Sequence, residues 1–201
     1  MTNPHPHPLP PEDFDDRKLP LLEYVGPFFR IHKSRRAVFD CPRVGDGRFD
    51  STAGNYSCAY SGKTFDCSFV ETALWDTGTQ TITTGWLRIR TLTIFSAKRN
   101  LQFVDLTSGP SLVRLGADAE LSSSRDRNLT KPWSQAIWNH PQKVDGIAYL
   151  ARHDPGEIAY AIFDRTYSAI EIENQYGMYE QYRSGELNRL IEKYSVSIID
   201  D

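Results

Sequence analysis

Short apolar runs, separated by residues that favour turns, recur along most of the chain after residue 20. β-branched residues are frequent in these runs, and Gly, Pro, Asp or Ser bound most of them, which is typical of β-strands. In the longest run, Trp86, Arg88 and Arg90 alternate with apolar neighbours, as in a strand with one exposed face. The predicted strands are residues 79–94, 101–106, 146–150, 159–163 and 168–172. The pattern therefore predicts a sheet of many strands.

Helical periodicity is rarer. Apolar residues at every fourth position predict a helix over residues 64–74, and similar patterns predict helices over residues 131–140 and 186–194. In the second of these, Pro132 indicates a position near the helix N-terminus, and Trp133, Ile137 and Trp138 predict a face that packs in the core. Strands and helices do not alternate regularly, so the pattern favours an α+β fold over a doubly wound one.

The first 20 residues differ from the rest. They hold six of the twelve prolines of the chain, and proline sustains neither a helix interior nor a central strand. Residues 1–20 are therefore predicted to form an extended, solvated arm. No repeat or second change in composition divides residues 21–201, which predicts one domain over that range.

Composition narrows the possible partners and the compartment. The 201 residues carry a net charge of −3, so no overall positive field attracts nucleic acid or anionic lipid. No apolar run has the length of a membrane span. Three cysteines, an odd number without a CxxC pair, suit a reducing compartment and favour neither a disulfide framework nor a zinc site. These features predict a cytoplasmic protein without a metal, a nucleic-acid partner or a membrane partner.

Common catalytic motifs are absent from the sequence. It contains no GxGxxG, GxxxxGK[ST], HExxH or GxSxG segment, so dinucleotide binding by a Rossmann motif, Walker-type hydrolysis and two hydrolase classes have no local support. A hydrolase built from Cys58 or Cys67 and one of the histidines stays open. However, any chain with three Cys and five His offers such pairs.

Charge and one carboxylate provide the remaining chemical signals. Residues 30–48 carry six cations and two anions, a net +4, and the chain holds 16 Arg against 7 Lys. Arg binds phosphate and carboxylate with a planar fork, although a solvated loop would explain the segment equally well. Glu71 lies beside Phe69 at the margin of a predicted apolar helix face, where a carboxylate at the edge of a pocket would be partly desolvated. Periodicity alone favours a Glu71 that faces water.

Seven short motifs follow one another in a fixed order. They are FRIH at 29–32, GRFD at 47–50, AYSG at 59–62, FVETAL at 69–74, LQFVDLTS at 101–108, DGIAYLARHDPG at 145–156 and AIFDR at 161–165. This ordered set resembles the RES domain family, named for an Arg, a Glu and a Ser, over residues 28–165. The resemblance implies a fold similar to ADP-ribosyltransferases, with a mixed sheet core, a few flanking helices and an activity that consumes NAD+.

The resemblance also implies roles for individual residues. Arg30, Tyr60 and Glu71 match the catalytic positions of the family. Glu71 is implied to stabilise positive charge on the ribose, since breaking the nicotinamide–ribose bond makes the same electronic demand as glycoside cleavage. On this chemistry we expect Arg30, with Arg48 or Arg152, to bind the diphosphate of NAD+ through bidentate hydrogen bonds, and Tyr60 to stack on its nicotinamide or ribose. No metal is implied.

The implied function is NAD+ degradation by a phosphorylase or glycohydrolase, with inorganic phosphate as a possible co-substrate. The family also implies the toxin of a type II toxin–antitoxin pair, a helix-turn-helix antitoxin of Xre type and an oligomer with it. A protein ADP-ribosyltransferase, with a protein acceptor, is one alternative. An NAD+-binding module that has lost turnover is another, because Ala151 stands before Arg152 where the family usually shows Ser.

Overall fold

The computed structural model describes residues 7–74 and 80–201. These residues form ten strands: β1 Leu21–Tyr24, β2 Phe28–Lys33, β3 Cys58–Gly62, β4 Thr81–Thr83, β5 Arg90–Ala97, β6 Leu101–Asp105, β7 Gly146–Leu150, β8 Ile158–Phe163, β9 Ile170–Gly177 and β10 Ser197–Ile199. They form seven α-helices: α1 Phe65–Ala73, α2 Thr84–Arg88, α3 Gly109–Leu115, α4 Ala119–Ser123, α5 Arg127–Asn139, α6 Met178–Arg183 and α7 Asn188–Lys193.

Eight strands build one mixed sheet. Their order is β1-β6-β7-β8-β3-β2-β5-β9. β6 and β7 run parallel, and the other described neighbours in this sheet run antiparallel. β4 and β10 form a separate parallel pair. The predicted α+β class, with a mixed sheet core and flanking helices, is confirmed. No helix in the described ranges has the length and apolar character needed to cross a membrane.

Both faces of the large sheet are buried at its central strands β3, β7 and β8, whereas most of β9, at one edge, is exposed. One face packs against α1 and α5, and Phe69, Trp133 and Ile137 in this layer have no exposed surface. The predicted core role of the α5 face is confirmed. The other face carries an aromatic cluster in which the rings of Phe28 and Phe95 stack with their centroids 5.2 Å apart. Burial on both sides explains why these central strands are so apolar.

The sheet opens between β2 and β3. Among the described residues these strands are paired at a single position, Phe29 with Gly62. Two residues along β2, the Ile31 N–H donates instead to the Ser68 hydroxyl of α1, at 3.0 Å. Since an unpaired buried backbone group is costly, the Ser68 side chain stabilises the opening and fixes α1 beside it.

The prediction of one long strand over residues 79–94 is wrong in its centre. The structure has β4, the short helix α2 and then β5, and Thr79 lies outside the described residues. The Thr83 side chain accepts a hydrogen bond from the Trp86 N–H, at 3.0 Å, and so caps α2. This capping signal competes with the alternation of the sequence, which therefore misled the prediction.

Two other predicted elements begin at different residues in the structure. α5 begins at Arg127, with Asp126 as its N-cap, so Pro132 lies inside the helix and not near its start. Of the strand predicted over 168–172, residues 168 and 169 end a 3₁₀ turn, Asp164–Ala169, and residues 170–172 begin β9. The helices predicted over 64–74 and 186–194 are confirmed as α1 and α7.

The predicted solvated arm is wrong for residues 7–20. A 3₁₀ turn at Phe14–Asp16 lies on the body of the domain, and Phe14 and Leu19 are 3% and 2% exposed. The Trp133 indole N–H of α5 donates to the Pro8 carbonyl at 2.9 Å. Apolar side chains between the prolines and acids therefore dock this segment, because burying them outweighs the extended character that proline imposes.

Candidate functional site

A cavity of about 350 Å³ lies between α1, the loop before β3 and the end of β7. Its wall includes Arg48, Tyr60, Glu71, Arg127, Tyr149, Arg152 and His153. Four of the five predicted site residues therefore meet here, from segments up to a hundred positions apart in the chain. The lining combines two acidic residues, Asp46 and Glu71, with several cations and aromatic rings, a mixture that suits a charged, ring-containing ligand.

Glu71 lies in the last turn of α1 and faces the cavity. Its side chain is 22% exposed. Its Oε1 accepts a hydrogen bond from the Arg152 backbone N–H at 2.9 Å, and its Oε2 lies 3.3 Å from Arg48 Nη2. Thr64 caps the start of the same helix by accepting from the Cys67 N–H. The carboxylate is thus fixed by two donors and oriented towards the cavity.

Arg48 is 9% exposed, and its guanidinium is held from three sides. Nη1 donates to the Ser122 carbonyl at 2.5 Å, Nη2 contacts Glu71, and the guanidinium carbon lies 4.4 Å from the centre of the Tyr149 ring. Burial raises the pKa of Tyr149 well above its ordinary value, so this phenol stays neutral. Arg48 therefore has one fixed orientation beside the carboxylate.

The GRFD motif builds the support for Tyr60. The Tyr60 hydroxyl donates to Asp50 Oδ1 at 2.8 Å and accepts from the Phe49 N–H at 2.9 Å. Asp50 Oδ2 in turn accepts from the Gly47 N–H at 2.8 Å, and a β-carbon at Gly47 would collide with both partners. Burial raises the pKa of Tyr60, which keeps the hydroxyl protonated for these bonds. The ring, and not the hydroxyl, remains for a ligand.

Arg30 does not line the cavity. Side chains alternate along β2, so Arg30 shares the face of Phe28, whereas Ile31 points to the face of Glu71. Its guanidinium donates to the Tyr60 carbonyl at 2.6 Å and its Nε to the Val38 carbonyl at 2.9 Å. Arg30 thus spans the opening between β2 and β3 and holds the backbone of Tyr60 in place.

Arg152 follows β7 at the cavity wall. Burial, followed by the nearby charges of Arg125 and Arg48, lowers the pKa of its guanidinium. Its Nη2 lies 2.8 Å from His153 Nε2. Arg127, which the sequence interpretation missed, adds a further cation, with its Nε donating to the Asp46 carbonyl at 2.7 Å. Several cations that line one cavity favour an anionic ligand.

The cysteine alternative loses its support. Cys58 and Cys67 are buried, and each thiol donates to a backbone carbonyl at 3.2 Å, Cys58 to Phe49 and Cys67 to Ile158. Burial raises the pKa of both thiols, whereas a nucleophilic cysteine needs a lowered pKa and access to its substrate. Across residues 7–74 and 80–201, no group of three or more His, Cys, Asp or Glu could hold a metal ion.

An ionic cluster outside the cavity lining connects two of the segments that form the cavity wall. Asp66 at the start of α1 binds Arg189 of α7, with Nη1–Oδ1 and Nη2–Oδ2 distances of 2.8 and 2.5 Å, and Lys193 Nζ at 2.9 Å. Lys193 also lies 3.3 Å from Asp154, which accepts from the Tyr194 hydroxyl at 2.7 Å. α7 therefore connects the helix of Glu71 to the loop that follows Arg152.

We expect Asp66→Asn to weaken folding in a pH-dependent way. The bonds from Arg189, followed by those from Lys193, lower the pKa of Asp66 from 3.8 to about 2. A lowered folded-state pKa stabilises the fold above the unfolded value, and this contribution disappears as the pH falls through the folded value. Both partners are partly exposed, so the variant should lose about 1 to 2 kcal/mol at pH 7.

Urea unfolding at several pH values measures this effect. The difference between wild type and Asp66→Asn should shrink between about pH 5 and pH 2, whereas Asp16→Asn, on the exposed 3₁₀ turn, should match wild type throughout. A difference that stays constant down to pH 2 would show that charge on Asp66 is not its source.

Comparison with known proteins identifies the family to which the chain belongs. A sequence model of the RES domain matches residues 27–183. The chain belongs to the RES domain family. The RES match contains α1, the GRFD loop and the whole cavity wall, while α7 with Arg189 and Lys193 lies beyond it.

One relative of this RES domain chain and one solved structure with a similar fold are informative. A probable toxin of Sinorhizobium fredii (strain NBRC 101917 / NGR234), y4kH, is 33% identical over 100 residues, which cover 49% of this chain and 75% of that protein. A chain in the crystal structure of the M. tuberculosis MbcT–MbcA toxin–antitoxin complex has a TM-score of 0.65 and 15% identity, and the match covers 82% of this chain and 92% of that one. At that identity the likeness demonstrates a shared fold.

Proposed function

We propose that this RES domain protein degrades NAD+ by cleaving the bond between nicotinamide and ribose. The observation that carries the proposal is the Glu71 carboxylate, fixed at a cavity wall by Arg48 and by the Arg152 N–H. A fixed carboxylate beside cations and aromatic rings fits a ligand that combines a ribose, a diphosphate and a flat ring.

The reaction requires little proton transfer to the leaving group. When the C1′–N bond breaks, its electron pair moves onto the pyridinium nitrogen, and nicotinamide leaves as a neutral molecule. Positive charge then develops on the ribose ring, as in glycoside cleavage. Glu71 stabilises this charge, and the new bond at C1′ forms either to an oxygen of phosphate or to a water oxygen, whose proton is released to the solvent. Because Arg48 and the Arg152 N–H orient the carboxylate in advance, it does not reorganise during the reaction.

The nicotinamide riboside half and the diphosphate of NAD+ bind to different parts of the site. Its volume of about 350 Å³ is at the small end for ligand sites, so it holds the nicotinamide riboside half of NAD+. The ring of Tyr60 provides a stacking surface there, whereas the Tyr149 ring is already covered by the Arg48 guanidinium. Arg127 and Arg152 bind the diphosphate through charge-assisted hydrogen bonds.

Arg30 contributes as a positioning residue. It acts through the Tyr60 carbonyl, at 2.6 Å, and not through the substrate. The match of Arg30 to a family signature position thus gains a physical explanation. In its absence the opening between β2 and β3 would lose the bridge that holds the Tyr60 ring at the cavity.

A toxin role completes the proposal. It is supported by the y4kH relative, named a probable toxin, and by the fold shared with a toxin–antitoxin complex. We propose that an antitoxin, of the Xre helix-turn-helix type that the family resemblance implies, restrains this protein in the cytoplasm as an oligomeric complex.

Identifying the products separates the four possible outcomes of NAD+ binding. The full chain is incubated with NAD+ labelled in its adenylate half, with and without inorganic phosphate and with a cell lysate. ADP-ribose 1″-phosphate identifies a phosphorylase, ADP-ribose a glycohydrolase and a labelled protein a transferase. We expect a small labelled product. Unchanged NAD+ that nevertheless binds the protein would indicate a module without turnover and contradict the proposal.

Ala151→Ser tests whether the missing hydroxyl limits the rate. Ala151 is 1% exposed and belongs to the same core layer as Tyr149, so a hydroxyl there would lie just behind the cavity wall. One added neutral hydrogen bond contributes about 0.5 to 1.5 kcal/mol, which predicts NAD+ consumption about two- to tenfold faster.

The matched control is Ala148→Ser. Ala148 is equally buried but belongs to the aromatic cluster on the opposite face of the sheet, so its variant should not gain activity. Rates are measured as nicotinamide release, and thermal unfolding confirms that both variants fold. Equal or slower turnover in Ala151→Ser, with intact folding, would exclude this role for the hydroxyl.

A further inference from the structure

The basic segment of residues 30–48 is only partly explained by the cavity. Arg48 lies in the cavity, Arg30 fills the opening of the sheet, and Arg43 lies 3.5 Å from Asp164. Lys33 and Arg35 lie neither in the cavity nor in the opening of the sheet. They lie where β2 ends and the following turn begins.

Lys33 and Arg35 line a second pocket, of about 300 Å³, together with Ser34, Arg88 and Ile89. The pocket lies where the turn after β2 approaches the junction of α2 and β5. It shares no lining residue with the cavity of Glu71. Three of its five lining residues are cations and none is acidic, so its surface is strongly positive.

The surrounding charges increase this positive character. Lys33 is directly opposite Arg90 in the register of β2 and β5, and like charges facing each other across a sheet are destabilising. Over residues 7–74 and 80–201, no ion pair with a carboxylate involves Lys33, Arg35, Arg88 or Arg90. An anion in the pocket would relieve this repulsion.

The pocket is also preorganised. The Arg88 guanidinium carbon lies 3.9 Å from the centre of the Tyr179 ring, and its Nη2 donates to the Tyr179 hydroxyl at 3.0 Å. The Ser34 N–H donates to the Ile89 carbonyl at 2.9 Å, which fixes the turn. Thr91 donates its hydroxyl hydrogen to Ser34 Oγ at 2.9 Å, so the Ser34 hydroxyl hydrogen is left to donate to a ligand.

We propose that this second pocket binds the phosphoryl group of a phosphorylated small molecule. Two guanidinium forks, an ammonium group and a hydroxyl donor around one concave site match the oxygens of a phosphate ester or diphosphate. Ile89, which is 54% exposed, supplies an apolar contact for the group that carries the phosphate. The proposal does not depend on NAD+ cleavage at the first cavity.

Methyl NMR gives a local test. The full chain, with labelled isoleucine methyl groups, is titrated with inorganic pyrophosphate while the Ile89 resonance is followed. We expect a saturable shift of Ile89. Arg35→Ala and Arg88→Ala should each raise the fitted Kd by about tenfold or more, since each removes a charge-assisted contact. Arg114→Ala, which removes an exposed arginine of α3, should leave the Kd unchanged.

Three results would overturn the proposal. The first is an Ile89 resonance that pyrophosphate does not move, and the second is an equal Kd in wild type and both pocket variants. The third comes from a parallel titration with hexaglutamate: tighter binding of this peptide than of pyrophosphate would assign the pocket to carboxylates. Because Ile89 does not line the first cavity, loss of NAD+ cleavage would not produce any of these results.

Discussion

Replacing Glu71 with Gln is expected to lower kcat for NAD+ cleavage by about 10² to 10³. The amide keeps the shape of the side chain, and its oxygen still accepts from the Arg152 N–H, at the position where Oε1 lies 2.9 Å away. It carries no negative charge, so it does not stabilise the cation that forms on the ribose. The loss should therefore appear in kcat, with a small change in KM.

The matched control is Glu186→Gln, an exposed glutamate in the segment before α7. It removes the same charge from the protein, and its kcat should equal that of wild type. Initial rates of nicotinamide release over a range of NAD+ concentrations give both constants. A Glu71→Gln variant that retains full kcat would exclude Glu71 from the reaction.

Arg48→Ala is expected to lower kcat/KM by about 10² or more and also to weaken folding. Arg48 lies against Glu71, and the Ser122 carbonyl accepts from it at 2.5 Å. Without the guanidinium, the carboxylate loses one of its two donors, and the buried carbonyl loses its partner. An unpaired buried acceptor costs about 1 to 3 kcal/mol, which urea unfolding would measure.

Arg48→Lys separates charge from geometry. The ammonium keeps the positive charge, but a single nitrogen does not reach both Ser122 and Glu71 as the planar fork does. We expect kcat/KM between those of wild type and Arg48→Ala, whereas Arg114→Ala should not change it. If Arg48→Ala folds and cleaves NAD+ at the rate of wild type, the proposed orientation of Glu71 is incorrect.

Elements with strong local signals could be predicted from the sequence. α1 follows from its fourfold apolar spacing and its Thr64 cap, and β7 from an apolar run that begins at Gly146. α2 was missed because its five residues are too few to show helical periodicity, and only the Thr83 cap marks it. Phe14 packs on α5, which is distant from it in the sequence. A local sequence pattern does not reveal a contact of this kind.

The candidate site was predictable where motifs mark it and unpredictable where the fold decides it. Glu71, Tyr60, Arg48 and Arg152 meet at one cavity, although local charge and periodicity gave no reason to join them. Arg30 is placed elsewhere because β2 alternates its side chains between two faces and opens away from β3. The alternation of side chains along β2 can be predicted from the sequence, but the opening between β2 and β3 cannot.

Release of nicotinamide from NAD+ by the wild-type protein tests the central claim most directly. The protein, purified without a partner, is mixed with NAD+ and inorganic phosphate, and nicotinamide is quantified over time beside the Glu71→Gln variant. We predict steady release by wild type over many turnovers and about 10² to 10³ less by the variant. NAD+ that stays intact with wild type, or equal release by both proteins, would contradict the account.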